Sequence, residues 1–190
     1  MRIGILGGTF DPFHLGHLYL AKKVFKKLSL KKIIFIPAYL PPHKKNLNLA
    51  TAAHRYNMAR IAVTHSKGFE VSDIEIRRRG KSYSVETMRR LRKRYGDSAK
   101  LFFIAGSDSL NELAKWKNLK AMLELCEFVI VKRPHFGTGN TPPGFRLLNI
   151  GAKDISATEI RIRARKDLSI NKMVPKGVSA YIKKHKLYLR

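Results

Sequence analysis

Short apolar runs alternate along the chain with longer stretches in which apolar residues recur every three or four positions. The runs have the length of buried strands and occupy residues 3–6, 32–37, 100–105, 127–131 and 145–150. The periodic stretches predict amphipathic helices at residues 18–28, 52–64, 85–95 and 109–123. Because parallel strands need a crossover between them, this alternation predicts an α/β fold with a doubly wound, mainly parallel sheet.

Other segments carry weaker signals. Residues 69–77 contain the β-branched Val71 and Ile76, which predict a further strand with a break at residues 72–73. Residues 38–49 and 137–144 are rich in residues that favour turns, and we expect both to be loops. The chain shows no internal repeat and no linker, so we expect residues 1–190 to form a single domain.

The C-terminal part of the chain, residues 151–190, contains two clear helix starts. Residues 156–159 (SATE) have the S-x-x-E pattern of a capping box, and Ile155 and Ile160 take the flanking positions of a hydrophobic staple. Pro175 predicts the start of a terminal helix, because proline fits the first helical turn. We therefore expect this part of the chain to be helical.

The amino-acid composition is strongly basic, which bears on the molecules that the protein binds. Lysine and arginine number 39 against 13 acidic residues, and the net charge is +26. The basic residues concentrate in residues 77–94 and 161–190, which fits a nucleic-acid surface, anionic small substrates, or a lineage whose proteins are all basic. Aromatic residues are only modestly interleaved with the basic ones, and no RNA-binding module motif is present. We therefore expect no specific nucleic-acid binding.

Cysteine content and hydropathy predict the compartment. The single cysteine, Cys126, excludes an intramolecular disulfide, as is usual in a reducing cytoplasm. The first residues lack the apolar region of a signal peptide, because Gly7 and Gly8 end the first run. No apolar stretch reaches the roughly 18 residues of a membrane span. We therefore expect a cytoplasmic protein that has no membrane partner.

The candidate chemistry starts at residues 7–17 (GGTFDPFHLGH), between the first predicted strand and the first predicted helix. A helix start offers backbone N–H groups to an anion. If His14 opens the helix, His17 follows one turn later and both imidazoles can reach one ligand. On the residues alone, a structural turn with two surface histidines and a partial metal site stay open as alternatives, and neither G-x-G-x-x-G nor the P-loop pattern is present.

Several turns with glycine or polar residues follow predicted strands. These turns are residues 7–17, 38–45, 106–108 and 132–133. In a doubly wound sheet the ligand site lies beyond the carboxyl ends of the strands, where the strand order reverses. We therefore expect these turns to meet around one site.

The motif G-G-T-F-D-P-x-H-x-G-H resembles that of the nucleotidylyltransferase superfamily, and further segments extend the likeness to the nicotinate-nucleotide adenylyltransferases. These segments, in the order of that family, are residues 42–44 (PHK), 71–75 (VSDIE), 82–84 (SYS), 106–108 (GSD), Trp116, 133–134 (RP), 155–161 (ISATEIR) and 174–188. The resemblance covers almost the whole chain and implies a Rossmann-like nucleotidylyltransferase fold.

The resemblance implies transfer of the adenylyl group of ATP to nicotinic acid mononucleotide, which gives the deamido precursor of NAD and pyrophosphate. The attacking phosphate is already ionised near neutral pH, because the second pKa of a phosphate is about 6. Neither a strong general base nor a covalent nucleophile is needed, so donors and cations should dominate the site. We expect Mg²⁺ to bridge the ATP phosphates without a dedicated set of protein ligands.

The same resemblance implies the residues of the ATP site. The catalytic residues would be His14, His17, Lys44 and Arg161, and His17 would stabilise the charge that develops in the transition state. The other ATP-binding residues would be Gly8, Thr9, Phe10, Gly106, Asp108, Ile155, Ser156 and Thr158. Residues 151–190 would thereby complete the ATP site.

For the acceptor, the resemblance implies a pyridine pocket in which Trp116 stacks on the nicotinate ring. The pyridine-nucleotide-binding residues would be Lys44, Ser84, Trp116, Lys117 and Arg133. The sequence departs from the common family pattern at Ser84 (often threonine), Ala157 (often serine) and Lys117 (often aromatic). The first two keep their backbone donors, whereas Lys117 leaves the selectivity between nicotinate and nicotinamide open. A tryptophan at this spacing is also typical of core packing.

Two other functions are compatible with the sequence. A related adenylyl- or cytidylyltransferase that uses nicotinamide mononucleotide or phosphopantetheine would share H-x-G-H, although the phosphopantetheine and cytidylyl relatives lack the S-Y-[ST] and tryptophan segments together. A basic nucleic-acid-binding protein on the same fold is disfavoured by the intact His14, His17, Asp108 and Arg161. The sequence indicates no oligomeric state.

Overall fold

A computed structural model describes residues 1–42, 49–107, 116–132, 143–151 and 153–189. The strands within these ranges are β1 (Arg2–Gly8), β2 (Lys32–Pro37), β3 (Phe69–Val71), β4 (Lys100–Gly106), β5 (Glu127–Val131) and β6 (Phe145–Leu148). They form one sheet in the order β3-β2-β1-β4-β5-β6, and every neighbouring pair is parallel. The predicted doubly wound parallel sheet is confirmed.

Helices cover both faces of this sheet. They are α1 (Leu15–Lys27), α2 (Ala52–Val63), α3 (Ile74–Arg78), α4 (Ser84–Tyr95), α5 (Leu119–Leu125), α6 (Ala157–Arg165) and α7 (Lys176–Lys184). Along β2, Ile33 and Phe35 belong to a hydrophobic cluster with α1, α2, α6 and α7, whereas Ile34 and Ile36 belong to a second cluster with α4 and α5. The strand is a continuous apolar run because helices bury both of its faces.

The strand predicted across residues 69–77 has its predicted break at residues 72–73, but the part beyond the break is a helix. Ser72 and Asp73 break the strand, and α3 follows. The Ser72 Oγ accepts a hydrogen bond from the Ile74 N–H at 3.3 Å, which turns the backbone away from the sheet. The Asp73 and Arg77 side chains then form an ion pair one helical turn apart, at 3.0 Å. These local side-chain contacts outweigh the strand preference of the isoleucines.

Two predicted boundaries also shift. Residues 116–118 form a turn, and α5 begins only at Leu119, because Asn118 takes a left-handed conformation (φ 54°) and its side chain accepts a hydrogen bond from the Ala121 N–H at 3.3 Å. Gly7 and Gly8, predicted to open a turn, remain in β1 and pair with β2. Residues 109–115 of the predicted helix and residues 137–142 of the predicted loop lie outside the described residues.

Within the described ranges, no helix combines the length and the apolar character that crossing a membrane requires.

Candidate nucleotide-binding site

The N-terminal loop (residues 9–13) leaves the sheet at the carboxyl end of β1, beside β4, where the strand order reverses. Phe10 has a left-handed backbone (φ 50°), which is uncommon for a bulky residue and is maintained by its surroundings. The rings of Phe10 and Phe13 are 2% and 0% exposed, and their centroids lie 5.2 Å apart. This aromatic anchor directs the loop into α1, and His14 is the residue that caps the helix.

The two histidines at the start of α1 stack on each other. The centroids of the His14 and His17 rings lie 3.6 Å apart, with an angle of 23° between the ring planes. Gly16 allows this arrangement, because a Cβ at that position would lie 3.0 Å from the His14 ring. The His14 backbone N–H donates to Nδ1 of His17 at 3.1 Å. Because Nδ1 accepts this bond, a neutral His17 carries its proton on Nε2, the opposite ring nitrogen.

The start of α6 meets the N-terminal loop. Ser156 caps α6 by accepting a hydrogen bond from the Glu159 N–H at 3.5 Å, as predicted. The Arg161 guanidinium donates through Nη1 to the Asp11 carbonyl at 2.7 Å and through Nη2 to Thr158 Oγ1 at 3.1 Å. The first of these bonds joins residues 150 positions apart in sequence. Two helix starts therefore face one region of space.

A cleft of about 530 Å³ lies between these segments and the carboxyl ends of β1 and β4. This volume is in the range of small-molecule sites. The sequence-predicted residues that line it are Gly8, Thr9, Phe10, His14, His17, Ser84, Gly106, Trp116, Ile155, Ser156 and Arg161. Thr158 and Lys132 do not line it, and the predicted Lys44, Asp108 and Arg133 lie outside the described residues.

A smaller hollow of about 90 Å³ adjoins the cleft; we call it the side hollow. It is lined by Pro42, Ser82, Tyr83, Ser84, Val85, Trp116 and Lys117, four of which (Pro42, Ser82, Ser84 and Trp116) also line the cleft. The Trp116 ring packs against Phe103 and Phe128, with centroid distances of 5.6 and 5.5 Å. Trp116 therefore packs on the core and also lines the side hollow.

Sequence reasoning missed a buried carboxylate at the base of the cleft. Asp11 is 2% exposed, and its Oδ1 accepts hydrogen bonds from the Tyr188 hydroxyl at 2.7 Å and from the Ala50 N–H at 3.2 Å. Burial raises the pKa of Asp11, and the bond from Tyr188 and the nearby Arg161 oppose part of that rise. The aspartate in the motif was visible in the sequence, but its partner at the far end of the chain was not.

Sequence reasoning also missed Arg55, which is 2% exposed on the inner face of α2. Its guanidinium donates to three backbone carbonyls, those of Thr9 at 2.8 Å, Tyr39 at 3.1 Å and Ala50 at 3.0 Å. Burial lowers the pKa of Arg55, while Asp11 opposes that shift. The one sequence signal was an arginine one turn before Ala59, on a face that is otherwise apolar.

The polar groups of the cleft suit an anion. His14, His17 and Arg161 line it, whereas two of its carboxylates, Asp11 and Glu75, are buried and already accept hydroxyl hydrogen bonds. The third carboxylate, Asp154, is exposed. Across the described part of the chain, no group of three or more His, Cys, Asp or Glu side chains is arranged to hold a metal ion. This arrangement suits a ligand that carries negative charge, such as a phosphate group.

Known proteins identify the family. The model of the Cytidylyltransferase-like family matches residues 5–163. A Corynebacterium kroppenstedtii protein named probable nicotinate-nucleotide adenylyltransferase is 42% identical over 193 residues, which cover 99% of this chain and 91% of that protein. The chain belongs to the nicotinate-nucleotide adenylyltransferase family. A Clostridium tetani family member is 40% identical over 195 residues and matches 97% of both chains.

Solved structures of the family have the same fold. The Plasmodium falciparum nicotinic acid mononucleotide adenylyltransferase complexed with NaAD superposes with a TM-score of 0.81 at 22% identity, over 98% of this chain and 97% of that chain. At this identity the likeness shows the fold, whereas the family assignment rests on the closer relatives.

Proposed function

We propose that the protein transfers the adenylyl group of ATP to nicotinic acid mononucleotide, which forms nicotinic acid adenine dinucleotide and pyrophosphate in NAD biosynthesis. The observation that carries the proposal is the 2.7 Å bond from Arg161 to the Asp11 carbonyl, since it brings the α6 start against the N-terminal loop. Two helix starts and two imidazoles at one cleft suit a triphosphate. Family membership supports the choice of acceptor.

The reaction is a direct in-line attack with no covalent intermediate. A phosphate oxygen of the mononucleotide forms a bond to the α-phosphorus of ATP, and the bond from that phosphorus to the bridging oxygen breaks, so pyrophosphate leaves with the electron pair. The acceptor is already ionised, so catalysis consists of positioning and charge stabilisation. His17 donates from Nε2–H to an α-phosphate oxygen as charge develops there, and His14 and Arg161 contact the neighbouring phosphates.

We assign the adenosine and phosphate contacts to both ends of the chain. The ATP site comprises Gly8, Thr9, Phe10, His14, His17, Gly106, Asp108, Ile155, Ser156, Thr158 and Arg161. In this assignment residues 151–190 complete the ATP site within a single domain. The cleft lining supports the part of the set that lies within the described residues, apart from Thr158, whose contact with Arg161 supports an indirect role.

We assign the acceptor to the side hollow and the adjoining cleft. Ser84, Trp116 and Lys117 line the side hollow, and Lys44 and Arg133 complete the proposed set from outside the described residues. The Trp116 ring makes edge-to-face contacts with Phe103 and Phe128, and the same residue lines the side hollow, which supports its assignment as the residue that stacks on the pyridine ring.

We further propose that Mg²⁺ accompanies ATP. The cleft residues fit this role, because Tyr188 and Thr87 each donate to one of the two buried carboxylates and the third carboxylate, Asp154, is exposed, so the ATP phosphates would supply most of the ligands. When bound, the ion neutralises triphosphate charge. We place the reaction in the cytoplasm, since a lone buried thiol, Cys126, is typical of a reducing compartment.

An assay of pyrophosphate release tests the function. Purified protein receives ATP and Mg²⁺ with nicotinic acid mononucleotide, nicotinamide mononucleotide or phosphopantetheine, each in a separate reaction. We expect the fastest release with nicotinic acid mononucleotide. Release with phosphopantetheine alone, or with none of the three, would refute the proposal.

The variant His17→Ala tests the catalytic assignment. We expect kcat to fall about a hundredfold or more, because a preorganised donor to the transition state is lost. His65→Ala, at a histidine outside the cleft, is the matched control. A near-normal kcat in His17→Ala would remove this role from His17.

A further inference from the structure

The lining of the side hollow includes a lysine that bears on the choice of pyridine nucleotide. Among the described residues that line this hollow, Lys117 is the only one with a charged side chain, and it lies beside Ser84 and Trp116. Nicotinate and nicotinamide have nearly the same shape and differ in charge. Shape alone therefore discriminates weakly between them, whereas a charged group discriminates by its field.

Two contacts orient the ammonium group of Lys117. Nζ lies 4.5 Å from the centroid of the Tyr83 ring, a cation–π distance, and Tyr83 also lines the hollow. Nζ lies 3.8 Å from Glu86 Oε1, which is too long for a hydrogen bond. The ammonium is therefore oriented by a ring face and a distant carboxylate, and it keeps the capacity to donate to a ligand.

A second cation compensates the carboxylate nearest to Lys117. The Arg78 guanidinium donates to Glu86 Oε2 at 2.8 Å, and the Arg78 side chain is only 10% exposed. The bond to Arg78 is much shorter than the contact with Lys117, so Arg78 is the main partner of Glu86. The three side chains together carry one net positive charge, and Lys117 is the one of the three that lines the hollow.

We propose that Lys117 is a specificity-determining residue that selects the carboxylate of nicotinic acid mononucleotide over the amide of nicotinamide mononucleotide. Arg78 and Glu86 are positioning residues for its ammonium. This inference rests on the proposed function, because it takes a pyridine mononucleotide as the acceptor. The Lys117 side chain is 57% exposed, so solvent screens the pair, and we expect selection of about fivefold from this charge.

The test compares kcat/KM for the two pyridine mononucleotides at saturating ATP. We expect Lys117→Met to lower the ratio of kcat/KM for the nicotinate substrate to kcat/KM for the nicotinamide substrate about fivefold. Lys117→Arg should keep most of this selectivity. The control Lys120→Met removes an exposed lysine that does not line the hollow, and it should leave the ratio unchanged. Glu86→Gln should raise the ratio about twofold, because it removes a competing negative charge.

Salt dependence and direct binding complete the test. In the wild-type protein the kcat/KM ratio of nicotinate to nicotinamide substrate should decrease as the salt concentration rises from about 0.05 to about 0.5 M. In Lys117→Met this ratio should stay constant. An equal loss for both substrates in Lys117→Met, or an unchanged ratio, would overturn the proposal.

Calorimetric titration of each mononucleotide tests the role of Lys117 separately from the proposed adenylyl transfer. Selective binding without pyrophosphate release refutes adenylyl transfer alone, and equal affinities in the wild-type protein refute the role of Lys117.

Discussion

The hydrogen bond between Tyr188 and Asp11 makes a sharp test of how the C-terminal segment supports the cleft. Tyr188→Phe removes the hydroxyl that donates to Asp11 Oδ1 at 2.7 Å and keeps the ring. Within the described residues Oδ2 of Asp11 has no hydrogen-bond partner, so Oδ1 would keep only its 3.2 Å bond from Ala50. The variant therefore weakens the hydrogen bonding of a buried carboxylate.

The size of the effect depends on the charge of Asp11. A hydrogen bond to a charged group contributes about 1.5–3 kcal/mol, so we expect a loss of about 2 kcal/mol when Asp11 is ionised. A bond to a neutral group contributes about 1 kcal/mol, which is the expected loss when Asp11 is protonated. For a chain of this length these losses correspond to decreases in Tm of about 6 °C and about 3 °C.

The pH dependence follows from the raised pKa of Asp11. Burial raises this pKa above its ordinary value of 3.8, so the folded protein keeps the proton at pH values where the unfolded chain has lost it. The stabilisation that the protonated Asp11 provides is therefore complete at low pH. It declines as the pH rises from 3.8 to the raised pKa of Asp11 in the folded protein. The hydrogen bond from Tyr188 lowers the pKa of Asp11, so Tyr188→Phe raises that pKa further and widens the pH range over which stability declines. The variant should thus cost more stability at about pH 8 than at about pH 4.

Thermal unfolding at both pH values checks this prediction. Tyr19→Phe is the matched control, because no described residue forms a hydrogen bond with the Tyr19 hydroxyl, and its Tm should change by about 1 °C or less. Equal Tm decreases at the two pH values would show that the ionisation of Asp11 is not involved. A decrease no larger than that of Tyr19→Phe would refute the reasoning altogether.

Two further variants test other parts of the site. Trp116→Ala should raise the KM for nicotinic acid mononucleotide about tenfold through lost stacking, as steady-state kinetics can measure, and an effect confined to ATP would contradict the assignment. Arg55→Met leaves three part-buried carbonyls without their donor, each costing about 1 kcal/mol, so Tm should fall by about 9 °C in a thermal melt. Arg60→Met, at an exposed arginine of the same helix, is the control, and similar melts for the two variants would show that the Arg55 bonds contribute little.

Much of the fold could be predicted because its signals are local. The apolar runs of β2, β4 and β5 and the cap of α6 each depend on a few neighbouring residues. The same holds for the His14 cap of α1. Where two local signals compete, as in α3, the prediction failed, because the Ser72 and Asp73 contacts outweigh the β-branched pattern that the isoleucines suggest.

The amino-acid sequence by itself determined the alternation of strands and helices, apart from α3, and the motifs at both ends of the chain that predict a phosphate site. Only the tertiary structure decided how those ends meet. The bonds from Arg161 and Tyr188 to Asp11, and the burial of Arg55 beneath Thr9, join residues that are far apart along the chain. A buried charge is stable only beside the partners that folding brings to it, so no local pattern in the sequence can specify its role.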